Sequence, residues 1–142
     1  MTEDLRVRAL RLLARRDYTR AELARKLEDP GVEAEVAVVL DGLERDGYLS
    51  DARFAEAFVA ARGGRHGLNR LRHDLLAKGV PAGLITDTLD ALKPTELDRA
   101  REVWSRRFHC PPTDSREYAR QARFLQARGF PAETIRQVLR SE

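Results

Sequence analysis

The amino-acid sequence predicts an all-α protein: three tandem three-helix repeats (helix-turn-helix-like units) arranged as an elongated, curved array. Three observations predict it. Apolar residues recur at spacings of three and four along the chain, which places them on one face of a helix. Three glycine turns, Pro30-Gly31-Val32, Lys78-Gly79-Val80-Pro81 and Arg128-Gly129-Phe130-Pro131, stand 48 and 50 residues apart. The same apolar stripe runs into and out of each turn, so each glycine fits a left-handed C-cap between two short helices.

The first repeat is read as residues 1–48. Its leading helix runs from about Glu3 to Arg15 with Leu5, Leu10, Leu12 and Leu13 as the apolar set, and Thr19 with Glu22 has the spacing of a capping box for the next helix. Leu23 and Leu27 lead to Gly31, and Val32, Val36, Val39, Leu40 and Leu43 carry the third helix. The second repeat, 49–93, starts after Ser50-Asp51 with Phe54, Ala55, Phe58, Val59 and Ala61 and ends its first helix near Gly63-Gly64. Leu71 and Leu75 then precede Gly79; Val80, Leu84, Ile85 and Leu89 follow it.

The third repeat, 94–142, is expected to open with a capping box from Thr95 and Asp98 and to carry Leu97, Ala100, Val103, Trp104 and Phe108. Asp114 with Glu117 marks the next start; Tyr118, Phe124 and Leu125 precede Gly129, and Phe130, Ile135, Val138 and Leu139 complete the unit. Pro81 and Pro131 fit the first turn of a helix, where a missing N–H costs nothing. Tyr48, Phe54 and Phe58 are assigned to the core, and Trp104 and Phe108 repeat the spacing of the two phenylalanines. Of the two joints between leading and middle helices, Gly63-Gly64-Arg65-His66-Gly67 reads as the more flexible, and Cys110-Pro111-Pro112-Thr113 as a stiff, non-helical link.

Composition agrees with thin helices. Charged residues reach 35% and aromatics only 6%, which favours large solvated faces over a thick core. Net charge is +3, yet 23 of the 26 basic residues are arginine and the charge is segregated. Residues 5–26 carry +6, residues 27–52 carry −7, and the alternation returns more weakly as +4 over 53–78, −3 over 79–98 and +5 over 99–128. No apolar run is long enough to span a membrane and the first residues lack the pattern of a secretory signal, so a cytoplasmic location is expected. Cys110 is the single cysteine, so no disulfide forms within the chain.

Catalytic patterns are missing. Gly63, Gly64 and Gly67 lack the preceding strand and following Lys-Ser of a phosphate loop, and His66, His73 and His109 do not share a ligand spacing. Cys110 beside His109 is followed by two prolines, with no acidic group placed to orient the imidazole. The expectation is a non-enzyme with no metal, no cofactor and no small-molecule substrate.

Nucleic acid is the better fit, because basic helices can meet phosphate. Base reading is not expected: the helix after the first glycine turn, Glu33 to Glu44, is acidic or apolar, and an acidic helix would be repelled from a major groove. Contacts should therefore be weak, non-specific and made by the first two helices of each unit to single- or double-stranded DNA. The candidate residues are Arg53, Arg62, Arg65, Asn69, Arg70, Arg72 and Lys78 in the central unit, with Arg16, Arg20, Arg25 and Lys26 in the first. Arg62 at a helix end could equally serve the helix dipole. Three classes stay open on this reading: a modulator lying along a nucleoprotein surface, a free-standing helix-turn-helix transcription regulator, and a helical scaffold without nucleic acid. A monomer is expected, since no long heptad is present.

The stretch Gly47-Tyr48-Leu49-Ser50-Asp51-Ala52-Arg53-Phe54-Ala55-Glu56-Ala57-Phe58, with Arg62 and then Gly67-Leu68-Asn69-Arg70-Leu71-Arg72-His73-Asp74-Leu75-Leu76-Ala77-Lys78-Gly79-Val80, resembles the signature of the RecX family, regulators of the RecA recombinase. Ala9 to Arg16 followed by Tyr18-Thr19-Arg20-Ala21-Glu22-Leu23 is similar to that family's opening segment, and the last fifty residues match by repeat pattern. The resemblance implies tandem three-helix units that bind RecA in the groove of its DNA filament and limit filament growth, ATP hydrolysis, strand exchange and coprotease action, within DNA repair, recombination and the SOS response. Asn69 and Leu71 depart from the residues common in the family but keep the helix start and the stripe. The turn Leu27-Glu28-Asp29-Pro30-Gly31 is more acidic than the family's basic glycine turn, which argues against it as a phosphate contact.

Overall fold

Asp4 starts the described chain by accepting the Arg6 amide at 2.8 Å, so the first helix, α1, spans Leu5–Arg15. The structure, a computed structural model, describes residues 4–140. Glu3, where the helix was expected to begin, lies outside them. α2 (Arg20–Lys26) carries the expected capping box, with the Glu22 amide donating to Thr19 Oγ1 and the Thr19 amide to Glu22 Oε1, both at 3.0 Å. α3 (Glu33–Arg45), α4 (Asp51–Arg62), α5 (Leu68–Ala77) and α6 (Ala82–Leu92) follow, then α7 (Glu96–Arg107), α8 (Ser115–Ala127) and α9 (Ala132–Leu139). Nine α-helices, in three groups of three, thus occupy the described residues.

Each group encloses its own core. Ala9, Leu23, Leu27, Leu40 and Leu43 are buried in the first; Ala55, Leu71, Leu75, Ile85 and Leu89 in the second; Ala100, Leu125, Phe130, Ile135 and Leu139 in the third. A compact monomer of 16.1 kDa would expose about 7,400 Å², whereas this chain exposes 9017 Å². Three small cores in series leave that extra surface, so the array is extended. Gly31, Gly79 and Gly129 all sit at positive φ, 88°, 86° and 95°, as left-handed caps require.

Several local expectations change. Thr95 and Asp98 form no capping box: residues Lys93–Thr95 make a 3-10 turn that joins α6 to α7 without a break, and Thr95 Oγ1 donates to the Leu92 carbonyl at 2.9 Å. Pro81 and Pro131 are the N-cap residues of α6 and α9, one position ahead of the first turn. Tyr48 is not a core residue but 54% exposed, with Arg6 5.8 Å from its ring, because Gly47 at positive φ turns the chain before Leu49 enters the core in its stead. Tyr118 is likewise exposed. The buried positions on that helix belong to Leu125 and Gln121, and Gln121 accepts from Trp104 Nε1 at 2.8 Å and donates to the Cys110 carbonyl at 3.3 Å.

The largest change concerns the joint 63–67, which is pinned rather than loose. The Gly67 amide donates to the Arg128 carbonyl at 2.8 Å and the Asn69 amide to the Gly129 carbonyl at 2.9 Å. Arg99 donates to the Gly63 and His66 carbonyls at 2.7 and 3.0 Å and to Glu96 at 2.9 Å, and the buried Glu96 carboxylate also accepts the Leu68 amide at 3.2 Å. The turn of the third unit therefore rests on the start of α5. The equivalent contact joins units one and two: Thr19 Oγ1 donates to the Lys78 carbonyl at 2.6 Å, and Gly79 lies against Ala21.

Candidate nucleic-acid and partner interface

These two junctions create two grooves. At the first, α2, the end of α4 and α5 enclose about 400 Å³ lined by Glu22, Arg25, Phe58, Arg62, Asp74, Ala77 and Lys78. At the second, the 63–67 joint, α7 and α8 enclose about 380 Å³ lined by Arg65, Val103, Arg106, Arg107, Phe124 and Arg128. Both follow from the repeat. The same docking of a glycine turn on a helix start leaves the same cleft beside it.

The first groove gathers Arg25, Arg62 and Lys78 from the sequence candidates. Arg62 is held 4.5 Å over the Phe58 ring, and Lys78 lies 6.0 Å from it, so that ring rather than the helix dipole alone positions the guanidinium. Glu22 and Asp74 share the groove, and Glu22 is 3.8 Å from Lys78. Its lining therefore alternates in sign.

Other candidates are engaged within the protein. Arg20 bonds Asp41 at 2.8 Å and Glu44, while its amide donates to Asp51. It ties α2 to α3 and α4. Arg16 covers Tyr18 at 3.7 Å and reaches Glu22 at 3.7 Å. Arg70 pairs with Asp74 at 3.3 Å, and its backbone is the surface that Gly129 rests on. Asn69 uses its amide in the junction and leaves its side chain exposed. Lys26 and Arg53 are exposed and Arg72 is half-buried; none of the three has a carboxylate partner among the described residues. Arg53 lies with Tyr18, Tyr48 and Phe54 on the opposite end of α4 from Arg62.

Arg65 is the single sequence candidate in the second groove. Arg106, Arg107 and Arg128 were missed, although signals existed: Arg106-Arg107 is a doublet ahead of Phe108, and Arg128 stands in the register of Lys78, next to the turn glycine. Arg128 lies 4.9 Å and Arg107 5.9 Å from the Phe124 centroid, and Phe108 meets Phe124 edge to face at 5.3 Å. Arg106 bonds Glu102 at 2.7 Å on the outer side. Arg65, Arg107 and Arg128 have no carboxylate partner among the described residues.

Two titration shifts fall at the second junction. Burial holds His66 below its ordinary range, and the nearby Arg70 charge adds to this. Burial also raises Glu96, against the lowering effect of Arg99 and the Leu68 amide. On the open face of α8, hydrogen bonds from Arg120 and Gln121 hold Glu117 down to about 2. Among the described residues no group of three or more His, Cys, Asp or Glu side chains is placed to hold a metal ion, and no helix is long and apolar enough to cross a membrane.

Comparison with known proteins gives a consistent picture. Family models match the chain unit by unit: RecX, first three-helix domain over residues 6–38, second over 50–89 and third over 95–139. The regulatory protein RecX of Leptothrix cholodnii is 55% identical over 96% of this chain and 87% of its own length. That of Chromobacterium violaceum is 42% identical over 96% and 90%, and that of Acidithiobacillus ferrooxidans 48% identical over 92% and 85%. The crystal structure of RecX from Lactobacillus salivarius superposes with a TM-score of 0.82 at 18% identity, covering 94% of this chain and 91% of that one. A second RecX crystal structure gives 0.81 at 21% identity, covering 97% and 72%. Matched in every unit and along nearly its full length, with the three-helix groups in the same fold, the chain belongs to the RecX family of regulatory proteins.

Proposed function

We propose that this protein binds the RecA recombinase on DNA and restrains it, limiting filament growth, ATP hydrolysis, strand exchange and coprotease action by occupying surface rather than by turnover. The observation that carries the reading is the recurrence of a cation-bearing groove at both unit junctions. An extended body with contacts in series suits a periodic partner, because each weak contact raises the effective concentration of the next. We also propose the unit boundaries 1–48, 49–93 and 94–142, and a monomer acting in the cytoplasm on RecA and its single- or double-stranded DNA.

Arg25, Arg62 and Lys78 are the first-groove residues we assign to that contact, with Arg53, Arg65, Arg72 and Lys26 on the adjoining surface; Arg16, Arg20, Asn69 and Arg70 act in it through the shape they hold. The mixed sign of the first groove suits a protein surface carrying both charges, since complementarity sets orientation as well as strength. Helix α3, with Glu33, Glu35, Asp41 and Glu44, presents negative charge that the phosphates flanking a DNA groove repel.

The test is a RecA ATPase assay on single-stranded DNA with the purified protein titrated in. Inhibition is expected for the native chain, and a large loss for the combined charge reversal of Arg62, Arg65, Arg70 and Arg72. Undiminished inhibition by that variant, with its helicity intact by circular dichroism, would overturn the assignment of the central face.

A further inference from the structure

We propose that the groove between the second and third units is a phosphate-binding site for a single nucleic-acid strand, distinct in chemistry from the mixed-sign groove between the first and second. The inference rests on the reading that the protein acts on RecA–DNA complexes, and it assigns the DNA contact to one place.

The first support is how the cations are held. Arginines elsewhere are often neutralised in place, as Arg6 is by Asp46 at 2.9 Å, Arg20 by Asp41, Arg70 by Asp74 and Arg99 by Glu96. In this groove Arg107 and Arg128 are instead positioned by the Phe124 ring, and Phe108 fixes that ring from its edge. A ring orients a guanidinium without cancelling its charge or consuming its N–H donors. The groove thus presents oriented, uncompensated forks, which suit phosphate oxygens two at a time.

The second support is composition and shape. Arg65, Arg106, Arg107 and Arg128 line the space together with the apolar Val103 and Phe124, and no carboxylate lines it. Glu102, the partner of Arg106, bonds it outside that lining. A concave slot of about 380 Å³ admits one sugar-phosphate strand. A duplex, being convex, could only bridge its mouth. The third support is rigidity, because the Gly67–Arg128 and Asn69–Gly129 hydrogen bonds lock the two walls together and spare the ligand the cost of ordering them.

The experiment measures anisotropy of a labelled oligothymidine strand with the full chain across a salt series. The variant R65E/R107E changes two exposed side chains, and R101E, on the same helix as Arg107 but outside the groove, controls for a charge reversal on that helix at half the double variant's change in net charge. With unchanged helicity, the double variant should bind roughly tenfold more weakly at low salt, and its log–log salt slope should fall by about 1.4, two phosphates' worth. R101E should lose less than twofold. R128Q, which keeps hydrogen-bonding capacity and the backbone carbonyl, provides a second reading if the double variant fails to fold, and should also weaken binding. Equal losses in R101E and the groove variants, or no binding of the strand by the native chain, would overturn the proposal.

The same variants in the RecA ATPase assay separate this inference from the broader one. Loss of strand binding with inhibition retained supports the site and leaves the RecA contact elsewhere. Loss of inhibition with strand binding unchanged overturns the site and leaves RecA restraint standing.

Discussion

The two junctions are built on one plan with different chemistry. In each, the carbonyl before the turn glycine, of Lys78 or Arg128, accepts a hydrogen bond from the residue that starts the middle helix of the preceding unit. At the first junction the donor is the Thr19 hydroxyl; at the second it is the Gly67 backbone amide. A side-chain donor tolerates a Cβ beside it, and a backbone donor does not: a Cβ on Gly67 would run into the Gly129 carbonyl. The difference teaches that register is held by the position of a donor and not by the identity of a residue. Beside that common frame, groove charge is free to diverge, from alternating at the first junction to wholly basic at the second.

The comparison breaks most severely at Gly129. Ala at that position must adopt φ near 95° and press its methyl on the Arg70 backbone, costing ~3 kcal/mol or more from backbone strain and overpacking combined. Chemical denaturation should show the midpoint falling steeply, and a loss below about 1 kcal/mol would mean the second junction is not close-packed. Thr19→Val keeps the shape of the first junction but removes both a helix cap and the donor to Lys78, for an expected loss of ~2 kcal/mol. Gly31 has the same φ class with open space around it, so Gly31→Ala should cost only about 1 kcal/mol, the backbone strain alone.

The smallest effect is the pH dependence carried by the second junction. Burial lowers the His66 pKa, and its Nδ1 bonds no atom of the described residues, so as pH falls below about 6.5 the unfolded chain takes up a proton more readily than the native chain does, and stability falls. Glu96 works in the opposite sense. Its raised value makes the native state the better proton acceptor, so its contribution improves as pH drops through that value toward the unfolded one. His66→Asn should flatten the stability profile between pH 7 and about 5.5, measured by denaturation at each pH; an unaltered slope would show that folding does not lower the imidazole's proton affinity.

Sequence periodicity made the units legible and left their docking illegible. The stripes Leu71-Leu75 and Ile85-Leu89, and the glycines at 31, 79 and 129, are local signals: each states a helix face or a φ value without reference to distant residues. Gly67 is different. Read along the chain it completes a glycine-rich loop, and the constraint on it comes from Gly129, 62 positions away. Gln121 and Glu96 were hidden for the same reason, since a polar residue at a core position is stable only when partners such as Trp104 or Arg99 arrive from other parts of the fold. Among the site candidates, net basic character was legible, but whether an arginine meets a carboxylate or a ring was not. Arg20 looked available and is bound by Asp41 and Glu44; Arg107 and Arg128 looked ordinary and form the basic wall.

A contact that joins the turn of one unit to the start of the middle helix in the unit before it has no natural end, and repeated between molecules it would grow an open fibre. Asp114, the cap of α8, occupies the place held by Thr19 and Gly67, and its carboxylate accepts from the Glu117 amide at 2.8 Å. A hydroxyl or an amide can donate to an incoming carbonyl; an ionised carboxylate cannot. At the other end, the turn before Gly31 carries Glu28 and Asp29, which an acidic cap repels. The third unit thus offers a carboxylate where the first junction has a hydroxyl donor, and the turn before Gly31 carries charge of the same sign. Asp114 and the Glu28–Asp29 turn are therefore mismatched as partners for a contact of the Thr19–Lys78 kind.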